Sequence, residues 1–160
     1  MKIQQPQTPF NILLADDDMD DRFFFTKAVK EITFFTNLVT VNNGEQLMEY
    51  LLINDAQLPH VLFLDLSMPR KTGFECLAEI KEHSKLKHLP VIMYTTSYTR
   101  SIDFEDKLIN TLSNMGAKEY IRKPADFEIL KQVIHNTLIK VLQESDFEQK
   151  KISLHKIATL

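Results

Sequence analysis

Aspartates follow two apolar segments of this 160-residue chain, at the point where each segment ends. Residues 16–18 are three aspartates after the apolar segment 10–15, and Asp65 follows the apolar segment 61–64. If the two segments are neighbouring strands of one parallel sheet, the acids meet at the same edge. Carboxylates that close cannot all stay ionised unless a cation lies between them. The pattern therefore predicts a hard metal ion held by oxygen ligands, with one carboxylate poised to react.

The chemistry that suits this cluster is phosphoryl transfer assisted by a divalent cation. Mg²⁺ prefers carboxylate, carbonyl and water oxygens. Asp17 and Asp65 can each supply one oxygen, and Asp16 can hold a metal-bound water. With the ion bound, Asp65 stays an anionic nucleophile while the metal neutralises an incoming phosphoryl group. We expect an aspartyl phosphate to form on Asp65.

Two further apolar segments end in residues that phosphoryl transfer needs. The hydroxyl residues 95–97 follow the segment 91–94, and a hydroxyl there can donate to a phosphoryl oxygen. Lys123 follows the last apolar segment, and its ammonium is a point charge suited to phosphate. Because Pro124 comes next, a cis peptide bond would turn the chain sharply and fix the direction of the lysine.

The elements that position these residues are five short strands that alternate with five helices. The predicted strands are 10–15, 38–41, 61–64, 91–94 and 119–121. Apolar residues recur at helical spacing between them. This alternation implies an α/β fold with a parallel sheet and right-handed crossovers. In such sheets ligands bind beyond the carboxyl ends of the strands, where both sets of acids lie.

Residues at the ends of the predicted helices agree with this arrangement. Asp20, Thr72 and Asp126 can cap the first, third and fifth helices. Gly116 stands where the end of a helix needs a residue in the left-handed conformation. The segments between strands are therefore expected to be helical.

Several other conspicuous residues receive a structural interpretation. Asp18, Asp20 and Asp21 are interpreted as turn or cap residues. The phenylalanine run 23–25 is expected to place two of its three side chains in the core. Cys76 lies on the apolar stripe of its helix, which is typical of a structural thiol.

The composition limits the class of protein. The chain is 44% hydrophobic and has a net charge of −3, which fits one domain with its own core. No basic patch indicates binding to nucleic acid, and a single cysteine allows neither an internal disulfide nor a thiolate zinc cluster. No apolar run reaches membrane-spanning length, and the polar N-terminus does not read as a signal peptide. We therefore expect a cytoplasmic protein without a membrane partner.

Four fragments at successive strand ends resemble the response-regulator receiver domain of two-component signalling. They are ILLADDDMDDR (12–22), VLFLDLSMPRKTG (61–73), PVIMYTTS (90–97) and GAKEYIRKP (116–124). Their order and spacing extend over about residues 10–142. The resemblance implies a flavodoxin-like doubly wound (βα)₅ fold, with a five-stranded parallel sheet in the order 2-1-3-4-5.

The resemblance also implies roles for the acidic residues. Asp65 matches the phosphoacceptor, Asp17 the direct Mg²⁺ ligand and Asp16 the acid that acts through water. The backbone carbonyl of Ser67 matches the third protein ligand. Mn²⁺ is the expected substitute for Mg²⁺, since both prefer oxygen ligands.

The remaining implied roles concern signalling. Thr95 matches the switch hydroxyl, Lys123 the lysine that pairs with the phosphoryl group, and Tyr120 the aromatic residue that swings inward on activation. The implied phosphoryl donor is a phosphohistidine on a sensor histidine kinase or a histidine phosphotransfer protein. Phosphorylation is then a population shift, in which the phosphoryl group pulls Thr95 inward and frees space for Tyr120.

Some positions depart from the common receiver pattern. Ser67 replaces a common Asn, and Ser67 and Ser97 match the two variable positions that tune dephosphorylation. The segment 98–114 is several residues longer than usual, on the face that the family uses for output and often for homodimers.

The predicted organisation is an N-terminal tail (1–9), a receiver domain (10–144) and a C-terminal tail (145–160) without an output domain. The tail is interpreted as partly ordered, with an extension of the last helix as the alternative. The leading hypothesis is a non-enzymatic phosphoacceptor that signals by contact with a downstream protein. The alternatives are a phosphorylation-independent scaffold with this fold and an aspartate-nucleophile phosphatase of the haloacid dehalogenase type, in which Asp16 would be the nucleophile.

Overall fold

Strands and helices alternate along the chain in the computed structural model, which describes residues 7–96 and 101–158. The strands are β1 (Phe10–Ala15), β2 (Thr36–Val41), β3 (Val61–Leu64), β4 (Val91–Thr95) and β5 (Glu119–Arg122). The helices are α1 (Met19–Glu31), α2 (Gly44–Ile53), α3 (Gly73–Glu82), α4 (Ile102–Asn114) and α5 (Phe127–Ala158). The predicted (βα)₅ arrangement is confirmed, and β2 starts two residues earlier than the sequence pattern indicated.

The five strands form one parallel sheet in the order β2-β1-β3-β4-β5, as expected. Its register aligns the strand ends that carry the polar residues. Ala15 at the end of β1 pairs with Leu64 at the end of β3, so that the next residues, Asp16 and Asp65, are neighbours. Thr95 of β4 pairs with Arg122 of β5, directly before Lys123.

The core lies on both faces of the sheet, because side chains along each strand alternate between the two faces. One face packs against α2, α3 and Leu112 of α4, and the other packs against α1 and α5. Phe25 of α1 is fully buried, with ring centroids 4.9 Å from Phe63 and 5.4 Å from Tyr94. These two layers hold the strands whose ends form the site.

The phenylalanine run contributes one residue to the core. Phe25 is buried, whereas Phe23 and Phe24 are 62% and 48% exposed. The expectation of two core positions was wrong, because successive residues of a helix point about 100° apart. Phe23 and Phe24 belong to the solvent face of α1.

The helix caps were predicted correctly except at α1. The N-cap of α1 is Asp18, whose carboxylate accepts hydrogen bonds from the amides of Asp20 and Asp21. Asp20 lies inside the first turn and was the wrong choice. Thr72 forms a capping box with Glu75.

Two further predicted helix ends agree with the structure. The Asp126 carboxylate accepts from the amide of Ile129 at 2.9 Å in the first turn of α5. Gly116, just after α4, has a φ of 100°, which an L side chain rarely adopts.

The last helix is longer than expected. Residues 145–158 continue α5 in place of the partly ordered tail, and every side chain from 143 to 158 is exposed. Helical geometry persists here without a buried face. Although α5 has 32 residues, no helix in the described chain is long and apolar enough to cross a membrane.

Candidate functional site

Four strand ends supply the residues of the site. Asp16 follows β1, Asp65 follows β3, Thr95 is the last residue of β4, and Lys123 follows β5. The sheet hydrogen bonding continues past the strands and sets their spacing. The Asp65 amide donates to the carbonyl of Ala15 at 2.9 Å, and the Lys123 amide donates to the carbonyl of Thr95 at 2.8 Å.

Lys123 is the cationic centre of the site. Its Nζ lies 2.8 Å from Asp16 Oδ2, 2.8 Å from Asp21 Oδ2 and 3.8 Å from Asp65 Oδ2. Burial disfavours the charged ammonium, but the carboxylates of Asp16 and Asp21 outweigh it and raise the pKa of Lys123. Lys123 therefore stays protonated and neutralises part of the acidic charge.

The predicted cis peptide bond is absent. The bond between Lys123 and Pro124 is trans, as are all peptide bonds in the described residues. The direction of Lys123 follows instead from its backbone hydrogen bond to β4 and from its carboxylate partners. The conformation of the Lys123–Pro124 peptide bond therefore does not set the direction of the lysine side chain.

Asp65 is a buried carboxylate with a hydroxyl partner. The Thr95 hydroxyl donates to Asp65 Oδ1 at 2.8 Å, and both residues are buried. Burial raises the pKa of Asp65 above the ordinary range, although Lys123 and the Thr95 hydroxyl oppose the rise. A buried nucleophilic oxygen thus lies near a cation and next to a hydrogen-bond donor.

Asp16 is the most deeply buried acid of the site. Its side chain is 0% exposed, and burial raises the pKa of Asp16 to about 6 against the opposing effect of Lys123. Asp16 Oδ1 accepts from the amide of Asp18 at 3.0 Å. Asp16 Oδ2 makes an ion pair with Lys123 but accepts no hydrogen bond of good geometry among the described residues.

The three carboxylates of the predicted metal site, Asp17 and Asp65 as direct ligands and Asp16 acting through water, come together. One oxygen from each of Asp16, Asp17 and Asp65 lies within 4.8 Å of the others. Asp16 Oδ2 is a buried acceptor without a hydrogen bond, and Asp17 is exposed, which leaves room for water. An all-oxygen set of this kind fits a hard divalent cation.

The loop after β3 carries Ser67, whose backbone carbonyl is the third predicted protein ligand. Ser67 lies two residues after Asp65 and is exposed. The loop folds back on itself between residues 66 and 73, where the Gly73 amide donates to the carbonyl of Leu66 at 2.9 Å. A Cβ on Gly73 would lie 2.2 Å from the carbonyl oxygen of Asp65, so α3 can begin here only with glycine.

Tyr120, the predicted switch aromatic, is half-buried on β5. Its hydroxyl is buried and has no hydrogen-bond partner among the described residues. Burial raises the pKa of Tyr120, and the Glu105 carboxylate adds to the rise. The ring packs against the core layer formed with α2 and α3. Ser97, the other predicted variable position, lies outside the described residues.

Three residues at the site were not identified from the sequence. Asp21 accepts a hydrogen bond from Lys123, Arg22 donates to the carbonyl of Asp16 at 2.8 Å, and the Tyr94 ring lies 5.4 Å from the Lys123 ammonium. The available signal for Asp21 was its place in the first turn of the helix that directly follows Asp16 and Asp17. Arg22 and Tyr94 carried no such signal.

The fold and the site together define a flavodoxin-like α/β protein with an acidic, lysine-containing site at the carboxyl edge of its sheet. A family model described as "Response regulator receiver domain" matches residues 12–135. The chain belongs to this family, which acts in two-component signalling.

Its similarity to known proteins extends over most of the chain. The 3',5'-cyclic-nucleotide phosphodiesterase regA of Dictyostelium discoideum is 34% identical over 144 residues. The match covers 89% of this chain and 17% of regA, so the chain spans less than a fifth of that relative.

Two solved structures share both the fold and part of the sequence. The phosphorylated cyanobacterial phytochrome response regulator RcpA is 30% identical, with a TM-score of 0.70 over 81% of this chain and 91% of RcpA. The Mn²⁺-bound form of response regulator Rcp1 is 26% identical, with a TM-score of 0.68 over 80% of this chain and 91% of Rcp1.

Proposed function

We propose that Asp65 accepts a phosphoryl group from a phosphohistidine of a sensor histidine kinase or a histidine phosphotransfer protein, in a reaction assisted by Mg²⁺. One observation carries the proposal: the buried Asp65 carboxylate lies beside the Thr95 hydroxyl, the Lys123 ammonium and two further aspartates. RcpA, which shares the fold, is described as phosphorylated. The role is one of signalling, in keeping with the family.

Asp16, Asp17, Asp65 and the backbone carbonyl of Ser67 would hold the metal ion. Mn²⁺ is the expected substitute, and Rcp1 is described with that ion bound. When bound, the ion neutralises negative charge on the transferring group. The clustering of these carboxylates, with one oxygen of each within 4.8 Å of the others, supports this set.

The reaction uses the groups that already face Asp65. A carboxylate oxygen of Asp65 attacks phosphorus, the P–N bond to the donor imidazole breaks, and the imidazole nitrogen takes a proton from solvent as it leaves. Lys123 and the Thr95 hydroxyl stabilise the phosphoryl oxygens, since preorganised donors act most strongly where water is excluded. Burial raises the pKa of Asp65 and the Lys123 ammonium lowers it, so a further cation at the site would favour the reactive, ionised form.

Signalling would follow because the Asp65 carboxylate and a bound phosphoryl group compete for the Thr95 hydroxyl. Thr95 donates to Asp65 in this structure, and a phosphoryl oxygen is a stronger, charged acceptor. We expect a shift of Thr95 toward that oxygen to change the space available to Tyr120. The resulting population shift would alter the surface of α4, β5 and α5, which a downstream protein or a second copy of the chain then binds.

The test is phosphorylation by a small donor. Wild-type protein is incubated with Mg²⁺ and acetyl phosphate, and the mass of a phosphoryl group is sought by intact mass spectrometry. We expect the label on wild type and on Asp20→Asn, a matched exposed carboxylate on α1. Asp65→Asn should carry none, because the acceptor oxygen is replaced by an amide.

Other outcomes distinguish the alternatives. Label that persists in Asp65→Asn but vanishes in Asp16→Asn would favour the phosphatase. Absence of label on a folded wild-type protein that binds Mg²⁺ would favour the scaffold. Asp16 makes an ion pair with Lys123 inside the same site as Asp65, and this arrangement supports the receiver proposal.

A further inference from the structure

The ammonium of Lys123 is shared among carboxylates that have different positions in the fold. Asp16 and Asp65 lie at strand ends, whereas Asp21 belongs to the first turns of α1. Nζ is closer to Asp21 Oδ2, at 2.8 Å, than to Asp65 Oδ2, at 3.8 Å. The Asp21 contact is also a hydrogen bond of good geometry. Lys123 is therefore drawn toward α1 and away from the acceptor.

We propose that Asp21 is a positioning residue that restrains Lys123 on the α1 side of the site and thereby slows phosphorylation of Asp65. The inference rests on the proposed function, because it concerns the rate at which Asp65 takes up its phosphoryl group. Asp21 is 35% exposed, and it is not one of the three clustered carboxylate ligands. It acts on the site through Lys123.

The physical reason is competition for one cation. An ammonium has three N–H donors, and each carboxylate that accepts from it neutralises part of its charge. A phosphodonor is anionic and is attracted by the charge that remains. With Asp21 replaced by an amide, Lys123 interacts more strongly with Asp65 and with the incoming phosphoryl oxygens. The reaction should then be faster.

The test compares phosphorylation rates of full-length variants with acetyl phosphate at saturating Mg²⁺, measured as the gain of phosphoryl mass with time. We expect Asp21→Asn to be labelled about threefold to tenfold faster than wild type, in the lower part of the range of coupling between neighbouring residues. Asp21→Glu, which restores a carboxylate, should return toward the wild-type rate. Thermal unfolding of each variant establishes that it is folded.

The matched control is Asp20→Asn. It removes the same charge one residue away, from an exposed side chain that is not among the described ion-pair partners of Lys123. Salt at 0.1 M screens exposed charges over about 10 Å, so the rate should change by less than about twofold. In a Lys123→Gln background, the Asp21→Asn substitution should have no further effect, because Asp21 acts through the lysine.

A second measurement does not depend on phosphorylation. Urea unfolding of the Asp21→Asn, Lys123→Gln and double variants should show coupling between the two residues, which the Asp20 and Lys123 pair lacks. An unchanged or slower rate in Asp21→Asn, an equal acceleration in Asp20→Asn, or the absence of coupling would overturn the inference. If wild type takes no label although the coupling is present, the proposed function is wrong, and the interaction between Asp21 and Lys123 is established independently of it.

Discussion

Replacement of Asp16 by asparagine should stabilise the metal-free protein at neutral pH. The Asp16 carboxyl is fully buried, and burial raises its pKa from the ordinary 3.8 to about 6 even though Lys123 lies 2.8 Å away. The fold therefore favours the protonated acid. Asparagine has nearly the same shape and carries no charge at any pH.

The sign and size of the effect follow from proton linkage. Below pH 3.8 the acid is protonated in both states and does not affect stability. Between pH 3.8 and 6 the unfolded chain has lost its proton while the folded chain keeps it, so the folded state loses stability as the pH rises. Above pH 6 the loss is complete and amounts to about 3 kcal/mol.

The assay is the free energy of unfolding in urea at pH 4 and at pH 7.5, with EDTA present, for wild type and Asp16→Asn. The difference between the two proteins should shift by about 2.5 kcal/mol in favour of the variant between these pH values, because about 0.5 kcal/mol is already lost at pH 4. For a chain of this size that corresponds to about 5–10 °C in Tm. Asp20→Asn, an exposed neighbour, should follow wild type at both pH values.

In the presence of Mg²⁺, wild type should instead be more stable to unfolding than Asp16→Asn. A cation that binds the ionised site stabilises the folded wild type by mass action, and Asp16→Asn has lost one of the acids that hold it. A wild-type protein whose stability rises from pH 4 to pH 7.5 in EDTA, relative to the variant, would refute the reasoning, because Asp16 would then be favoured as the ion.

Three other changes have definite expected outcomes. Thr95→Val removes the hydroxyl that donates to Asp65, and labelling by acetyl phosphate should slow about 100-fold or more, whereas Thr95→Ser should retain most of the rate. Gly73→Ala would place a Cβ 2.2 Å from the carbonyl oxygen of Asp65, and chemical denaturation should show a loss of about 2 kcal/mol or more. Phe25→Ala empties a fully buried position and should cost about 3–5 kcal/mol, whereas Phe23→Ala, at 62% exposure, should stay within about 0.5 kcal/mol of wild type.

The element order could be predicted because it depends on local pattern. The segment 61–64 is apolar at every position and is buried throughout as β3, and the capping signal at Thr72 was enough to place the start of α3. Both depend on neighbours within four residues. The N-cap of α1 was predicted wrongly as Asp20. Either Asp18 or Asp20 can cap a helix, and only the backbone conformation, which is extended at Asp18, distinguishes the two.

The length of α5 was missed for a related reason. Beyond residue 142 no apolar stripe faces the sheet, and the apolar residues there, Phe147, Ile152, Leu154 and Ile157, are all exposed. A periodicity argument finds helices through their buried face. The prediction of α5 therefore ended where its last buried residues lie, although the helical hydrogen bonding continues to Ala158.

The sequence by itself determined which residue types stand at the strand ends, and hence the acids, hydroxyl and lysine of the site. Only the tertiary structure decided how their charges are shared. Asp21 and Lys123 are 102 residues apart and meet in a hydrogen bond, whereas Asp18, two residues from Asp16, caps a helix instead. The physical reason is that burial and ion pairing depend on distances in space, and those exist only once β1, β3 and β5 lie in register.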